Sequence, residues 1–308
     1  QNIESTRLLV ERVGDLDPNL RMVRLSSDIL PCYTHNDFSG YWRDPSVVSY
    51  AETHFARVGD IARDRGVRLS FHPGQFCVLA SDSDTVVANS IREFEYHTDL
   101  ARWMGYGNSF HDHGFKINVH ISGRKGPEGI RAIWNQLSTE ARNLITIENE
   151  ENSYGLDDTL QLADIIPTVF DCHHHWVKTG EYIEHNDDKI KRVIDSWRGI
   201  RPTMHFSVSR EDILLGHGSD TLPDHSLLLK NGHNKQKLRA HSDYYWNDAV
   251  NKWAVSFNDK FDISCKAICF RHDFHGFHMH IKLSFIVTTS TCKYFSIFNS
   301  WIKRSTIP

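Results

Sequence analysis

Short apolar and β-branched runs recur along the chain, and longer segments with one polar face separate them. These runs are MVRLSS at 22–27, VRLSFH at 67–72, KINVHIS at 116–122, LITIE at 144–148, PTVFD at 167–171, PTMHFS at 202–207 and FDISC at 261–265. Because each run is almost continuously apolar or β-branched, the pattern predicts strands that are covered on both faces, as in a parallel sheet.

The segments between these strands have helical spacing. Along residues 84–104, one face is formed at alternating intervals of four and three by Val87, Ile91, Phe94, Thr98 and Ala101. Similar patterns occur near 46–65, 127–142, 156–165 and 187–198. Repeated alternation of strand and helix predicts an α/β fold with a parallel sheet, either a barrel or a doubly wound sheet. The chain has no GxGxxG or GxxxxGKS/T phosphate loop to favour the doubly wound sheet.

We therefore expect one α/β domain of the TIM (β/α)8-barrel type over residues 1–267. The chain begins at Gln1, and we expect the first strand of the barrel to lie before that residue. From Lys266 to Pro308 the only acidic residue is Asp273, and the apolar residues follow no strand or helix period. We interpret residues 268–308 as an atypical tail that is not homologous to the barrel.

The composition is that of a water-soluble globular protein, with 40% hydrophobic and 24% charged residues. A net charge of −4 gives no global signal for nucleic acid, although a local basic patch or bound metal ions would supply a positive field. The six cysteines form no CxxC pair and no signal peptide precedes them, so we expect reduced thiols in a cytoplasmic protein. No apolar run approaches the roughly 18 residues that span a bilayer, and we expect a monomer without membrane contact.

Five predicted strands carry a side chain that can bind a metal at or near their C-terminal ends. These residues are His72, His120, Glu148, Asp171 and His205, each within two residues of the end of its run. In a TIM barrel the C-terminal ends of the strands meet on one face, so we expect these side chains to share one cup. A lone histidine is more often a hydrogen-bonded structural residue. Their common position at the strand ends nevertheless indicates a site.

The expected ligands are imidazoles and carboxylates without thiolates, among twenty histidines in the chain. This set suits Mn²⁺, Zn²⁺ or Fe²⁺ better than a structural zinc centre, and several ligands in one cup indicate more than one ion. A site with several metal ions hydrolyses phosphate esters. Within DCHHHW at 171–176, we expect Asp171 and His174 to face the cup from a short loop. His173 and His175 are expected to point elsewhere, and at least one of them to support a ligand or contact a phosphate.

Several motifs, in this order along the chain, resemble those of the UV damage endonucleases. They are LSFHPGQF at 69–76, INVHISG at 117–123, IENEE at 147–151, DCHHH at 171–175, RPTMHFS at 201–207 and AHSDY at 240–244, with RLSSDILPCYTH at 24–35 upstream. The resemblance covers roughly residues 3–267. It implies a TIM barrel related in fold to endonuclease IV and to the xylose-isomerase-like barrels. It also implies a nucleoid-associated repair enzyme that cuts UV-damaged double-stranded DNA 5′ to the photoproduct, with two or three divalent ions, generally Mn²⁺.

The same resemblance implies site residues. The implied metal ligands are His35, His72, His120, Glu148, Asp171, His174, His205 and His241, of which Glu148, Asp171 and His205 form the catalytic group. Gln75 and Phe76 would lie at the lesion, and Phe76 stands where the family commonly has tyrosine. The remaining residues expected at the lesion or the DNA are Arg124, Lys125, His175, Arg210, Lys237, Arg239, Asp243 and Tyr244. A solvated charge cluster is the alternative for the basic run 235–239, and its place beside His241 favours phosphate binding.

Two positions depart from the family pattern. Thr203 stands where the family has a lysine that can be carboxylated and join the metals. DISCKA at 262–267 offers Cys265 and Lys266 where the family's last strand supplies a glutamate ligand. Two alternatives therefore remain open: a metal-dependent sugar isomerase or epimerase with a closed polar pocket, and an inactive remnant that binds damaged DNA.

Overall fold

A ring of parallel strands forms the centre of the molecule. The computed structural model describes residues 1–214 and 217–266 in full, and only the backbone of residues 284–286. The strands in these ranges are β1 Met22–Arg24, β2 Arg68–Phe71, β3 Lys116–His120, β4 Ile145–Glu148, β5 Thr168–Asp171, β6 Thr203–Phe206, β7 Asp262–Cys265 and β8 Ser284–Ile286. They pair in the order β7-β6-β5-β4-β3-β2-β1-β8, and every pairing is parallel. β7 and β8 lie beside each other, so the sheet curls into a nearly closed barrel.

The seven predicted strands are all present, and the predicted TIM-type barrel is confirmed. The strands are shorter than their apolar runs because the chain stays buried after it leaves the sheet. Leu25, directly after β1, is 2% exposed, and Ile121, directly after β3, is fully buried. The length of an apolar run therefore indicates how far the chain is buried, and the hydrogen-bonded strand ends before the run does.

Helices cover the outside of the barrel. Their bounds are α1 Asn2–Gly14, α2 Ser39–Trp42, α3 Pro45–Asp64, α4 Asp84–Trp103, α5 Gly126–Ile133, α6 Thr139–Leu144, α7 Leu156–Thr159, α8 Cys172–Thr179, α9 Asp188–Ser196, α10 His225–Lys230, α11 Lys235–Leu238 and α12 Asp248–Val255. Short 3-10 turns lie at Pro18–Leu20, Asn36–Phe38, Asp112–Gly114, Trp134–Gln136 and Leu160–Leu162. None of the helices in the described ranges combines the length and apolar character needed to cross a bilayer.

The helices predicted near 46–65, 84–104 and 187–198 are confirmed as α3, α4 and α9. The segment 127–142 is divided, because the Ser138 side chain accepts a hydrogen bond from the backbone N–H of Ala141 and so begins a new helix, α6. The segment 156–165 contains only α7 and a 3-10 turn. The pattern did not predict α1, which packs on α3, or α8, which we expected to be a short loop.

The predicted division into a barrel domain and a tail stays a prediction. Residues 267–283 and 287–308 lie outside the described residues, so most of the expected tail does too. Its three described residues form β8, and Met22 pairs with Ser284 in a parallel ladder. The strand position beside β1, which we expected a segment before Gln1 to fill, is thus filled by β8.

Candidate metal centre

The C-terminal ends of the strands bring the expected side chains together around Glu148. Glu148 is the last residue of β4, and its side chain is fully buried. Its Oε2 lies 3.2 Å from Nε2 of His72, which follows β2, and accepts a hydrogen bond from the Asn118 amide. Its Oε1 lies 2.9 Å from Nδ1 of His205 in β6. One carboxylate therefore joins residues from separate strands in a single cup.

Two overlapping groups in this cup could hold a metal ion. One is formed by His72, His120 and Glu148, and the other by Glu148, Asp171 and His174. Within each group, one potential ligand atom per residue lies within 4.8 Å of the others. Imidazole nitrogen and carboxylate oxygen are ligands that Mn²⁺, Zn²⁺ and Fe²⁺ accept. The residues present therefore fit at least one divalent ion.

Three histidines of the cup, His72, His120 and His205, are held in the neutral form that binds metals. Burial lowers the pKa of His72 to about 3. Burial also lowers the pKa of His120 and His205, although the Glu148 charge opposes this. Burial alone would raise the pKa of Glu148, but His205 and Lys266 hold it well below its usual range. The cup thus presents an ionised carboxylate beside the neutral imidazoles of these three histidines.

The DCHHHW segment forms a helix, and the expectation of a short loop was wrong. Asp171 caps the start of α8, and its Oδ1 accepts a hydrogen bond from the backbone N–H of His174 at 2.9 Å. This turn directs His174 into the cup, where its Nδ1 lies 3.6 Å from Glu148 Oε1 and 3.7 Å from Asp171 Oδ2. Because neighbouring helix residues point in different directions, His173 and His175 face other surroundings.

His173 lies behind the cup, with Nε2 at 3.0 Å from the Ser209 hydroxyl and its ring 5.2 Å from that of His241. His175 does not suit the expected DNA contact. It is 2% exposed, and its ring packs edge-on against Phe170 at 5.7 Å, within the protein. A phosphate cannot reach a side chain that is covered in this way.

Two implied metal ligands lie apart from both groups. The side chain of His35 is 57% exposed, and its Nδ1 accepts a hydrogen bond from the backbone N–H of Asp37. His35 caps the 3-10 turn at Asn36–Phe38 instead of entering the cup. The ring of His241 lies 6.1 Å from that of His174 and 5.2 Å from that of His173, and His241 belongs to neither group.

Lys266, to which the sequence assigned no role, lies in the cup directly after β7. Its Nζ donates to Glu148 Oε1 at 2.7 Å and to Asp171 Oδ2 at 2.8 Å. Burial disfavours the ammonium, but the charges of Asp171 and Glu148 raise the pKa of Lys266 above its usual value. In the sequence, Lys266 could have been singled out because it lies where the family pattern has its glutamate ligand. The position of its side chain in the cup depends on closure of the barrel.

Glu151 is a second residue that sequence reasoning missed. Its Oε2 lies 3.7 Å from Nε2 of His174, and its Oε1 lies 3.2 Å from Nε of Arg239. It therefore connects the cup to the basic residues outside it. In the sequence, Glu151 could have been singled out because it is the last residue of the acidic run IENEE.

The rim around the cup carries exposed side chains. Gln75 and Phe76 follow β2, and the ring of Phe76 is 85% exposed. Arg124 and Lys125 are exposed after β3, and Lys237 is exposed in α11. Asp243 is exposed and Tyr244 half-buried.

All three of the expected DNA-binding arginines are engaged within the protein. Arg124 pairs with Asp82 at 3.2 Å. Arg210 donates from Nε and Nη2 to the two carboxylate oxygens of Asp212, at 2.8 and 2.5 Å. Arg239 pairs with Glu151, as described above. These arginines would have to exchange a carboxylate for a phosphate to bind DNA.

The chain is similar in sequence to a known protein family and to individual proteins. The family model described as UV-endonuclease UvdE matches residues 1–266. A protein named UV DNA damage endonuclease from Bacillus velezensis is 28% identical over 208 residues, which are 65% of this chain and 62% of that protein. The alignment thus spans less than two thirds of that relative.

Two solved structures share the fold. The crystal structure of SacUVDE aligns with a TM-score of 0.60 and 23% identity, over 86% of this chain and 82% of that one. Endonuclease IV from Thermus thermophilus aligns with a TM-score of 0.51 and 12% identity, over 97% of this chain and 94% of that one.

Proposed function

Because the chain belongs to the UV-endonuclease UvdE family, we propose that it is a metal-dependent endonuclease that cuts double-stranded DNA 5′ to UV photoproducts. The observation that carries this proposal is the meeting of His72, His120 and Glu148 at the strand ends, within reach of one ion. The relative from Bacillus velezensis bears the name of this activity. We further propose that the protein acts as a cytoplasmic monomer on damaged DNA of the nucleoid.

The proposed metal is Mn²⁺, held by the strand-end ligands His72, His120, Glu148, Asp171, His174 and His205. A bound divalent ion would supply an activated water and would neutralise charge on the phosphate, which are the needs of phosphodiester hydrolysis. The mixed imidazole and carboxylate donors support Mn²⁺ over a structural zinc centre.

The residues of the cup are held in place before any ligand binds. The Asn118 amide donates to Glu148 Oε2, and the Thr146 hydroxyl donates to the Asn118 side-chain oxygen at 2.8 Å. Asn149 holds Asp171 through two bonds of 2.9 Å, one to its backbone N–H and one to its carbonyl. The Asn118 bond fixes the direction of the Glu148 carboxylate, and the Asn149 bonds fix the backbone that carries Asp171. Such support strengthens a metal site.

Phe76 supports a DNA substrate over a small sugar. The ring of Phe76 is 85% exposed, so its face is available for stacking on a displaced base. Stacking does not depend on base identity, so it suits recognition of a distorted duplex. A sugar isomerase would instead need a closed polar pocket, where this exposed ring has no use.

The test is nicking of supercoiled plasmid, with and without UV irradiation, in Mn²⁺ and then in EDTA. We expect nicking of the irradiated plasmid only, and only with Mn²⁺. Glu148→Gln should remove this activity, and Glu128→Gln, which changes an exposed carboxylate on α5, should leave it intact. Equal nicking of both plasmids, or nicking that persists in EDTA, would contradict the proposal.

A further inference from the structure

The cup already contains a cation that belongs to the chain. The Nζ of Lys266 lies 2.7 Å from Glu148 Oε1 and 2.8 Å from Asp171 Oδ2. The lysine side chain is 10% exposed, and both carboxylates are fully buried. An ammonium in this position donates hydrogen bonds and has no lone pair with which to bind a metal.

The same two oxygens face the second candidate group. His174 Nδ1 lies 3.6 Å from Glu148 Oε1 and 3.7 Å from Asp171 Oδ2. An ion held by Glu148, Asp171 and His174 would need these oxygens at about 2.0–2.2 Å. The ammonium would then have to leave them, because two cations on the same pair of buried oxygens repel each other strongly.

The first candidate group is free of this competition within the described residues. It uses the other oxygen of Glu148, Oε2, which faces His72 Nε2 at 3.2 Å and the neutral Asn118 amide. The two oxygens of Glu148 therefore point to different partners. One faces neutral ligands, and the other is bound by the lysine.

We propose that Lys266 takes the place of one metal ion, so that this chain binds a single divalent ion at His72, His120 and Glu148. Its ammonium neutralises one of the two carboxylate charges and holds Asp171 in position. The inference rests on the proposed function for the identity of the metal site. It adds that the chain binds fewer ions than the two or three that the sequence led us to expect.

The experiment is equilibrium dialysis of the purified full chain against Mn²⁺, with metal analysis and electron paramagnetic resonance to count bound ions. The proteins are the wild type, Lys266→Gln and Lys266→Glu. Lys260→Gln serves as the matched control, because it removes an exposed lysine just before β7. We expect one ion for the wild type and the control. Both Lys266 variants should gain a second ion, with its affinity raised at least about tenfold over the wild type.

Thermal unfolding gives a readout that does not depend on activity. In EDTA, Lys266→Gln should melt below the wild type, because Glu148 and Asp171 lose their shared partner. Saturating Mn²⁺ should then raise the melting temperature of this variant by more than that of the wild type, since a ligand that binds only the native state stabilises it. A Lys266 variant that folds only with Mn²⁺ would also support the inference, because the ion would then replace the lysine as the partner of Glu148 and Asp171.

Two results would overturn the inference. One is a wild type that binds two or more ions as tightly as the Lys266 variants do. The other is a wild type and variants that all bind the same number of ions, including none. Absence of binding in every protein would also remove the metal site of the proposed function. A wild type that binds one ion but does not nick irradiated plasmid would support the inference and contradict the proposed function.

Discussion

Arg68 and Asp262, 194 residues apart in sequence, form a buried ion pair at the N-terminal end of the barrel. Arg68 begins β2 and Asp262 begins β7, and their side chains are 7% and 2% exposed. Arg68 Nη1 lies 2.6 Å from Asp262 Oδ2, and Arg201 Nε lies 2.8 Å from the other oxygen. The pair joins two strands that are not neighbours in the barrel, at the end away from the cup, so it supports the fold without entering the site.

Removing one partner of this pair should cost much of the protein's stability. Asp262→Ala leaves the guanidinium of Arg68 buried without its charge partner, and we expect the free energy of unfolding to fall by about 3–5 kcal/mol. Asp164→Ala is the control, because it breaks an exposed pair with Arg131 and should cost at most about 1 kcal/mol. Urea unfolding in EDTA measures both. Equal losses would show that burial of the Arg68 pair is unimportant.

We expect Glu148 to be the carboxylate that contributes most to metal binding in the cup. Glu148→Gln keeps the shape of the side chain but removes its charge from both candidate groups. We expect affinity for Mn²⁺ to fall at least about 100-fold, since a direct ligand matters more than the partners that orient it. Isothermal titration with Mn²⁺ provides the measurement, and Glu128→Gln should titrate like the wild type. Wild-type affinity in Glu148→Gln would place the ion elsewhere.

The convergence of His72, His120, Glu148, Asp171 and His205 could be predicted from the sequence. Each residue lies at or near the end of an apolar run, and parallel strands in a barrel bring their C-terminal ends to one face. No side-chain contact had to be known for this inference. Strand order and direction alone fix the meeting of these residues.

The rest of the cup depended on features that the sequence does not display. Histidine and cysteine have low helix propensity, which hid α8 although Asp171 and Gly180 are typical residues for its two ends. Lys266 reaches the carboxylates because β7 lies beside β6 and the curled sheet brings the C-terminal ends of β4, β5 and β7 to one cup. The motif RLSSDILPCYTH at 24–35 contains His35 but does not show its exposure, which depends on the conformation of the loop.

Phe76 should contribute to lesion binding and little else. Phe76→Ala removes the exposed ring, and stacking of about 1–3 kcal/mol per base predicts an affinity for a duplex with one photoproduct that is about 5- to 150-fold weaker. Phe76→Tyr should keep the affinity, because the aromatic face remains. Fluorescence anisotropy compares the damaged duplex with its undamaged counterpart. Phe38→Ala, which removes another exposed ring, is the control, and an equal loss in both variants would argue against a lesion contact by Phe76.

His111 should make the protein less stable as the pH falls. Burial lowers the pKa of His111 to about 3, from 6.5 in the unfolded chain. Between these values the unfolded state binds one more proton than the folded state, so His111 should lower the free energy of unfolding by about 1.4 kcal/mol per pH unit of acidification. His111→Asn retains a donor for the Phe115 carbonyl, which now lies 2.9 Å from His111 Nδ1, but binds no proton. Urea unfolding in EDTA between pH 7.5 and about pH 4 should therefore give a shallower decline for His111→Asn, and parallel curves for the two proteins would show that His111 is protonated equally in both states.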